Sequence, residues 1–270
     1  MRAINDASGW WGPPGRAPSP LSITALIEAK TLSPELTALL WTLLEGGASL
    51  IVAAGPRSAG KTTLLTALLS LLPPSTIAYY TQGFGESFAD LPSRQADDPP
   101  TFILINEISD HLSTYLWGPP VQRAFSLLRE GYALAGTMHA NHAEECLWQL
   151  HYGCGVPADD LTRCDLILTM TAEPGRRRIA QLFALAPGAP IVPLAWWDRS
   201  HDAYVVLESE DARRRAAAVI GAAPHAFAAE IQRRATWLTA LTVTGANSPD
   251  DIAAAIDAFH SATEDSAERQ

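Results

Sequence analysis

One stretch constrains this chain more than any other: Gly55-Pro56-Arg57-Ser58-Ala59-Gly60-Lys61-Thr62, which fits G-x-x-x-x-G-K-[ST]. Glycines at both ends let a loop fold back so that successive backbone N–H groups point inward, as a polyanion requires. The run before it, Ser49–Gly55 (SLIVAAG), is short, apolar and partly β-branched, and reads as a strand buried on both faces. The run after it, KTTLLTALLSLLPP, reads as a helix stopped by Pro73-Pro74. Strand, glycine loop and helix N-terminus together make a phosphate cradle, with the helix dipole favouring negative charge. Residues Gly55, Pro56, Arg57, Ser58, Ala59, Gly60, Lys61, Thr62 and Thr63 are therefore the candidate nucleotide-binding set. Lys61 is expected to neutralise β- and γ-phosphates and the Thr62 hydroxyl to ligate Mg²⁺.

The surroundings repeat this logic. Residues 76–80, 101–105, 133–138 and 165–170 are further buried-strand candidates, with helical stretches at 120–130, 143–151 and 158–163. Strands alternating with helices predict a doubly wound α/β layer with a mainly parallel sheet. Residues 175–185 read as one more strand, paired with 165–170. The chain has 270 residues, 47% of them apolar, enough for a real core. Its net charge of −10 argues against nucleic acid as the main partner, because phosphate backbones call for a basic surface. Three cysteines are too few for a disulfide framework. No apolar run is long enough to span a bilayer, and the N-terminus has no secretory signal pattern.

Two strand ends carry chemistry. Residues 102–110 (FILINEISD) bring Asn106, Glu107 and Asp110 to the end of an apolar strand. Glu107 is expected to project beside the nucleotide, orienting or deprotonating the attacking water and contributing to the Mg²⁺ shell. The alternative role for Glu107 is to cap the following helix. Residues 133–141 (ALAGTMHAN) end in Thr137, His139 and Asn141, where a polar group can sense the γ-phosphate. A strand-end histidine is also a common satisfied core residue. The spacing of His139, His142, Cys146, His151 and Cys154 fits no familiar zinc framework.

Taken together, the glycine loop, Ile-Asn-Glu-Ile-Ser-Asp and Thr-Met-His-Ala-Asn resemble the type II/IV secretion ATPase family, nearest its tight-adherence pilus and archaellum-like branches. The resemblance covers roughly residues 19–190. It implies a RecA-like P-loop NTPase domain and ATP and Mg²⁺ as cofactors. It also implies Glu107 as the Walker B acid, His139 as the His-box residue, and a hexameric ring docked on an inner-membrane secretion or pilus platform protein. Cytoplasmic location, with peripheral contact at the inner face of the membrane, follows as an expectation.

The pattern departs from that family in specific places. Where relatives carry an acidic Asp box, this chain has Gln82-Gly83-Phe84-Gly85-Glu86, leaving Glu86 as the single candidate acid. Between there and Glu107 only Arg94 is basic, and Ser109 stands where many relatives have arginine. The large N-terminal domain and the four-cysteine zinc insert have no counterpart, so the expected form is a short one. Because an arginine finger contributes about 10³–10⁵ in rate, these losses weaken the charge-stabilising side of catalysis. The expected function is thus a Mg²⁺-ATP-dependent motor with catalytic residues Lys61, Glu107, His139 and Glu86, and with Thr62 and Glu107 at the metal. The rival is a catalytically weakened, nucleotide-gated assembly or regulatory protein on the same fold. An unrelated P-loop enzyme such as a small-molecule kinase would need a lid and acceptor pocket that no segment supplies.

The organisation expected is a flexible lead over 1–20, a helical lead-in over 21–48, the ATPase domain over 49–190, a connecting hairpin over 191–208 and a small C-terminal helical appendage over 209–270. Trp10 and Trp11 are expected to dock on the protein's own surface, Trp196-Trp197 to anchor the appendage, and Arg176-Arg177-Arg178 to form a solvated strand edge.

Overall fold

The computed structural model describes residues 1–10, 21–56, 58–95, 97–188 and 190–267. Arg57 and Trp11, both singled out above, lie outside the described residues. The chain begins with strand β1 (Arg2–Ala3), helices α1 (Ile23–Glu28) and α2 (Pro34–Glu45), strand β2 (Leu50–Ala53) and helix α3 (Lys61–Leu69). Strands β3 (Ile77–Tyr80) and β4 (Thr101–Ile108), helix α4 (Pro119–Leu127), strand β5 (Ala133–Met138) and helices α5 (Ala143–Trp148) and α6 (Ala158–Leu161) follow. Strands β6 (Leu166–Glu173), β7 (Arg176–Ala184), β8 (Val192–Asp198) and β9 (Ala203–Val206) precede helices α7 (Glu210–Val219), α8 (Pro224–Val243) and α9 (Pro249–Ala267).

The strands form one sheet in the order β1-β3-β4-β5-β2-β6-β7-β8-β9 among the described residues. Strands β1 to β6 run parallel, and β7, β8 and β9 add antiparallel pairs at one side. Because successive strand side chains alternate faces, each parallel strand feeds two cores. Leu50, Val52, Phe102, Leu104, Leu166 and Leu168 pack on one side with α1, α2, α3, α8 and α9. Ile51, Ala53, Ile103, Ile105 and Ile167 pack on the other with α4 and α5. The mainly parallel sheet covered by helices is the expected α/β class. Helix starts are fixed locally: Ser22, Ser33 and Ser209 each accept a first-turn N–H, from Ala25, Leu36 and Ala212.

Two expectations change. The lead is not loose over its first ten residues: β1 pairs with β3, and Asn5 continues the ladder with its side chain, donating to Tyr80 O and accepting from Tyr80 N at 2.8 Å each. Trp10 is buried, its indole N–H donating to Thr66 Oγ1 at 2.8 Å. A two-residue strand completed by an asparagine amide has no periodicity to read.

The C-terminal helices pack firmly on the core of the main domain. Trp41 of α2, fully buried, stacks on Phe259 of α9 (4.8 Å between ring centres) and Trp237 of α8 (5.7 Å). Arg234 lies over the Trp41 ring and bonds Glu45 at 2.7 Å. Helix α9 continues to Ala267.

The arginine run is not a solvated edge throughout. Arg178 is 5% exposed, forked onto both oxygens of Asp202 (2.9 and 3.1 Å). Trp197 binds that same carboxylate at 3.1 Å, so it secures the β8–β9 turn.

Candidate functional site

The glycine loop joins β2 to α3 at the carboxyl end of the parallel strands, the end at which open α/β sheets bind ligands. Its backbone takes the left-handed region at Ser58 (φ 59°) and Gly60 (φ 93°). Gly60 precedes α3 without a side-chain cap, so the first-turn amides of Lys61, Thr62 and Thr63 have no capping side chain. At the loop's start a Cβ on Gly55 would sit 1.9 Å from Asn141 Oδ1, so only glycine leaves room for that side chain. Asn141 is itself held by Glu145, whose Oε2 accepts from its backbone N–H at 2.7 Å and its amide at 3.1 Å.

Beside the loop, β4 and β5 deliver the acid and the histidine. The register runs from Ile105↔Gly136 to Ile108↔Met138, so β4 holds one extra residue across this interval. This bulge spans Asn106 and Glu107, and bulges commonly re-aim a side chain at a site. Gly136 sits at the tight point, where a Cβ would come 3.2 Å from Ile105 Cβ. Thr137 Oγ1 donates to Asn106 O at 2.5 Å, bracing the bulge from the neighbouring strand. The Asn106 amide in turn donates to Gly9 O, tying the N-terminal segment to the same strand end.

Three predicted residues meet here. His139 Nε2 stands 3.2 Å from Glu107 Oε1, and His139 Nδ1 stands 3.5 Å from Lys61 Nζ. A neutral imidazole protonated on Nε2 satisfies both contacts: it donates to the carboxylate and accepts from the ammonium. The His139 carbonyl accepts from Gln149 at 2.8 Å, fixing the backbone that carries the ring. Lys61 is 7% exposed; burial pushes its pKa below the ordinary lysine value, while the Glu107 charge pulls it back up. Thr62 and Thr63 lie in the first turn of α3, both half-buried.

Glu86 is engaged elsewhere. Its carboxylate accepts from Tyr79 Oη (2.9 Å), Phe88 N (2.6 Å) and Gln82 N (2.8 Å), closing the turn after β3. None of these bonds reaches Lys61, Glu107 or His139. Burial, together with Glu86, pushes the Tyr79 phenol pKa up. Arg94 also lies away from the cluster, bonding Gly131 O and Asp98 O at the opposite end of the sheet. Sequence reasoning named Asn141 at this strand end, and the structure sets it against Gly55; it missed Arg177, which donates to Ser58 O at 3.4 Å. The arginine's position depends on a strand overshoot that no motif encodes.

No group of three or more His, Cys, Asp and Glu is placed to hold a metal among the described residues. One hydroxyl (Thr62) and one carboxylate (Glu107) are hard oxygen donors, which suits Mg²⁺, an ion that usually takes one or two protein ligands and completes its shell with phosphate and water. Among the described residues, no helix is long and apolar enough to cross a membrane.

No protein-family model matches the chain. It is 24% identical over 155 residues to an uncharacterized protein of Methanocaldococcus jannaschii, MJ0900, the match covering 49% of this chain and 26% of that protein. Among solved structures it is similar to the VirB11 ATPase from the Brucella suis type IV secretion system in complex with sulphate (TM-score 0.39, 19% identity, 59% of this chain and 54% of that one). It is similar also to the Legionella pneumophila ATPase DotB (TM-score 0.37, 11% identity, 85% and 63%). The chain thus spans about a quarter of the curated relative and less than two thirds of either solved chain.

Proposed function

We propose that this chain binds Mg²⁺-ATP in the loop 55–62 and hydrolyses it to ADP and phosphate. The observation that carries this reading is the Lys61–His139–Glu107 cluster, assembled by the carboxyl ends of β4 and β5 against the first residue of α3, just after the glycine loop. In this reading the amides of the loop and of Lys61, Thr62 and Thr63 receive the phosphate oxygens, and the buried ammonium of Lys61 leaves His139 for the β/γ-phosphates. Glu107 accepts the proton of the attacking water or orients it, and His139, released from Lys61, donates a hydrogen bond to a γ-phosphate oxygen. Mg²⁺ held by Thr62 and Glu107 would supply charge neutralisation on the phosphate oxygens. Glu86 acts at one remove, as the acceptor that shapes the turn after β3.

The motif order and spacing that resemble the type II/IV secretion ATPases support a place as a motor subunit in secretion or pilus assembly. On that reading the chain works as a homo-oligomeric ring at the inner face of the membrane, on a platform protein, with the tight-adherence branch nearest. A second reading is favoured by one observation: Glu86 is consumed in its own turn, leaving Glu107 alone to manage water. That suits a slow, nucleotide-gated assembly protein.

One experiment separates them. Mg²⁺-dependent phosphate release is measured over a range of protein concentrations, beside nucleotide binding, for wild type, Lys61→Ala and Glu107→Gln. The motor reading expects turnover that rises with oligomerisation, loss of binding in Lys61→Ala, and binding without turnover in Glu107→Gln. Binding without turnover in the wild type selects the gated protein, and equal activity in all three refutes the site.

A further inference from the structure

Strand β6 pairs with β2 up to Thr169↔Ala53, but it runs on to Glu173 before turning at Gly175 into β7. Four residues of overshoot, at about 3.3 Å each, carry the β6–β7 tip roughly 13 Å past the end of β2, to the level of the glycine loop. There Arg177 lies along the loop's outer rim: its Nη2 donates to Ser58 O at 3.4 Å, and its Cδ is 3.4 Å from where a Cβ on Gly60 would be. Its two neighbours differ. Arg178 is spent on Asp202, while Arg176 stands opposite Glu173 in the hairpin. Arg177 is exposed, and no carboxylate lies within ion-pair distance of it among the described residues. In a chain of net charge −10, an unneutralised guanidinium resting on a phosphate loop calls for an anion.

Sheet order says which part of the anion. Strands β4 and β5, with Glu107 and His139, lie on one side of β2; strands β6 and β7 lie on the other. If the γ-phosphate faces Glu107 and His139, the α-phosphate and nucleoside leave the loop toward the β6–β7 hairpin. We infer that Arg177 is a binding residue for the α/β-phosphate end of a nucleoside di- or triphosphate, closing the loop on the side away from the hydrolytic cluster. The inference rests on the nucleotide reading above and adds to it a cation supplied by the chain itself, where the 82–107 segment supplies Arg94 at the wrong end of the sheet. Arg177 swings from Ser58 O to a phosphate oxygen; because it serves the α/β end, it contributes alike to ADP and ATP.

The test is titration calorimetry of Mg²⁺-ADP and Mg²⁺-ATP with the full chain as wild type, Arg177→Gln, Arg177→Lys and Lys61→Ala. Arg177→Gln is expected to weaken both nucleotides by about tenfold with a shallower salt dependence, Arg177→Lys to recover part of the loss, and KM to rise by the same factor with kcat unchanged. Unchanged affinity in Arg177→Gln beside lost binding in Lys61→Ala overturns the inference and leaves the nucleotide reading standing. A fall in kcat at constant KM also overturns it, by moving the residue to the γ-phosphate. Absence of binding in the wild type removes both. The side chain is exposed, so unchanged thermal unfolding of Arg177→Gln is the control for folding.

Discussion

Lys61 Nζ and His139 Nδ1 face each other at 3.5 Å, and the far nitrogen of the same ring faces Glu107 Oε1 at 3.2 Å. The histidine therefore stands between a cation and an anion that would otherwise attract each other directly. A phosphate placed in the loop competes for the lysine, and its arrival frees the imidazole from the ammonium while the carboxylate still faces it. That couples occupancy of the loop to the hydrogen bonding of the residue proposed to manage water.

The lysine's burial has a stability consequence in the unliganded protein. Its folded pKa lies below the unfolded value of 10.5, so the charged form is disfavoured by folding at every pH below the folded pKa. The penalty fades as pH rises through the folded pKa toward 10.5. Lys61→Met is expected to unfold at higher urea than wild type at pH 7, with the gap narrowing as pH approaches 10.5. Added Mg²⁺-ADP should raise the wild-type midpoint and leave the variant's unmoved. A variant less stable than wild type at pH 7 would contradict the account of this lysine as a desolvated cation.

At Gly55 the constraint is steric and has a named partner. Alanine there places its methyl 1.9 Å from Asn141 Oδ1, so the asparagine must swing away from Glu145 or the loop must shift. Gly55→Ala is expected to lose at least about tenfold in Mg²⁺-ADP affinity, with Gly55→Ala/Asn141→Ala recovering most of it, an interaction of about 1–2 kcal/mol in a double-mutant cycle. Calorimetric Kd values for the four proteins check this; simple additivity would place the cost in the glycine's backbone instead.

The site's residue types were legible because their chemistry is tied to short local patterns. The glycine loop needs a strand before it and a helix after it, and both have strong apolar signatures. Glu107 and His139 are the polar ends of apolar runs. What the sequence did not disclose depends on pairings far apart along the chain. The bulge at Asn106–Glu107 exists because β4 carries one more residue than β5 across Ile105–Ile108. Arg177 reaches the loop because β6 outruns β2, and Glu86 is drawn off by Tyr79 and Phe88, whose packing no motif records. The C-terminal helices looked separate since Pro224 and Pro249 punctuate them. The side chains that join them to α2, namely Trp41, Trp237, Arg234 and Phe259, give no local sign of meeting.

That junction can be tested by cavity formation. Trp41 is fully buried between α8 and α9, with Arg234 over its ring at 4.4 Å. Trp41→Ala should cost about 3–5 kcal/mol, since an aromatic is removed from a packed site and the guanidinium loses its stacking surface. If the helices share the sheet's core, urea unfolding followed by circular dichroism stays a single transition at lower denaturant. Two transitions, with helical signal lost first, would mean that 209–270 unfolds independently of the sheet.

At the other end of the sheet, Asp165 offers a pH test that leaves the loop untouched. Its Oδ2 accepts the Ser49 N–H at 2.8 Å, and burial, outweighing that bond, pushes its pKa from 3.8 up to about 6. A folded-state pKa above the unfolded one means that the native protein holds a proton the unfolded chain has released between those values. Wild-type stability attributable to this group is thus complete below pH 3.8 and is lost as pH rises to about 6. Asp165→Asn keeps an acceptor for Ser49 and cannot titrate. The difference between the two proteins should therefore move in the variant's favour by on the order of 2 kcal/mol between pH 4 and pH 7, then level off. Urea midpoints for both proteins at steps across that interval give the curve directly, because the other ionisable groups cancel in the difference. A difference that stays flat with pH would mean that the carboxylate is solvated in the folded state, and the packing of β2 against the start of β6 would have to be looser than the Ser49 contact indicates.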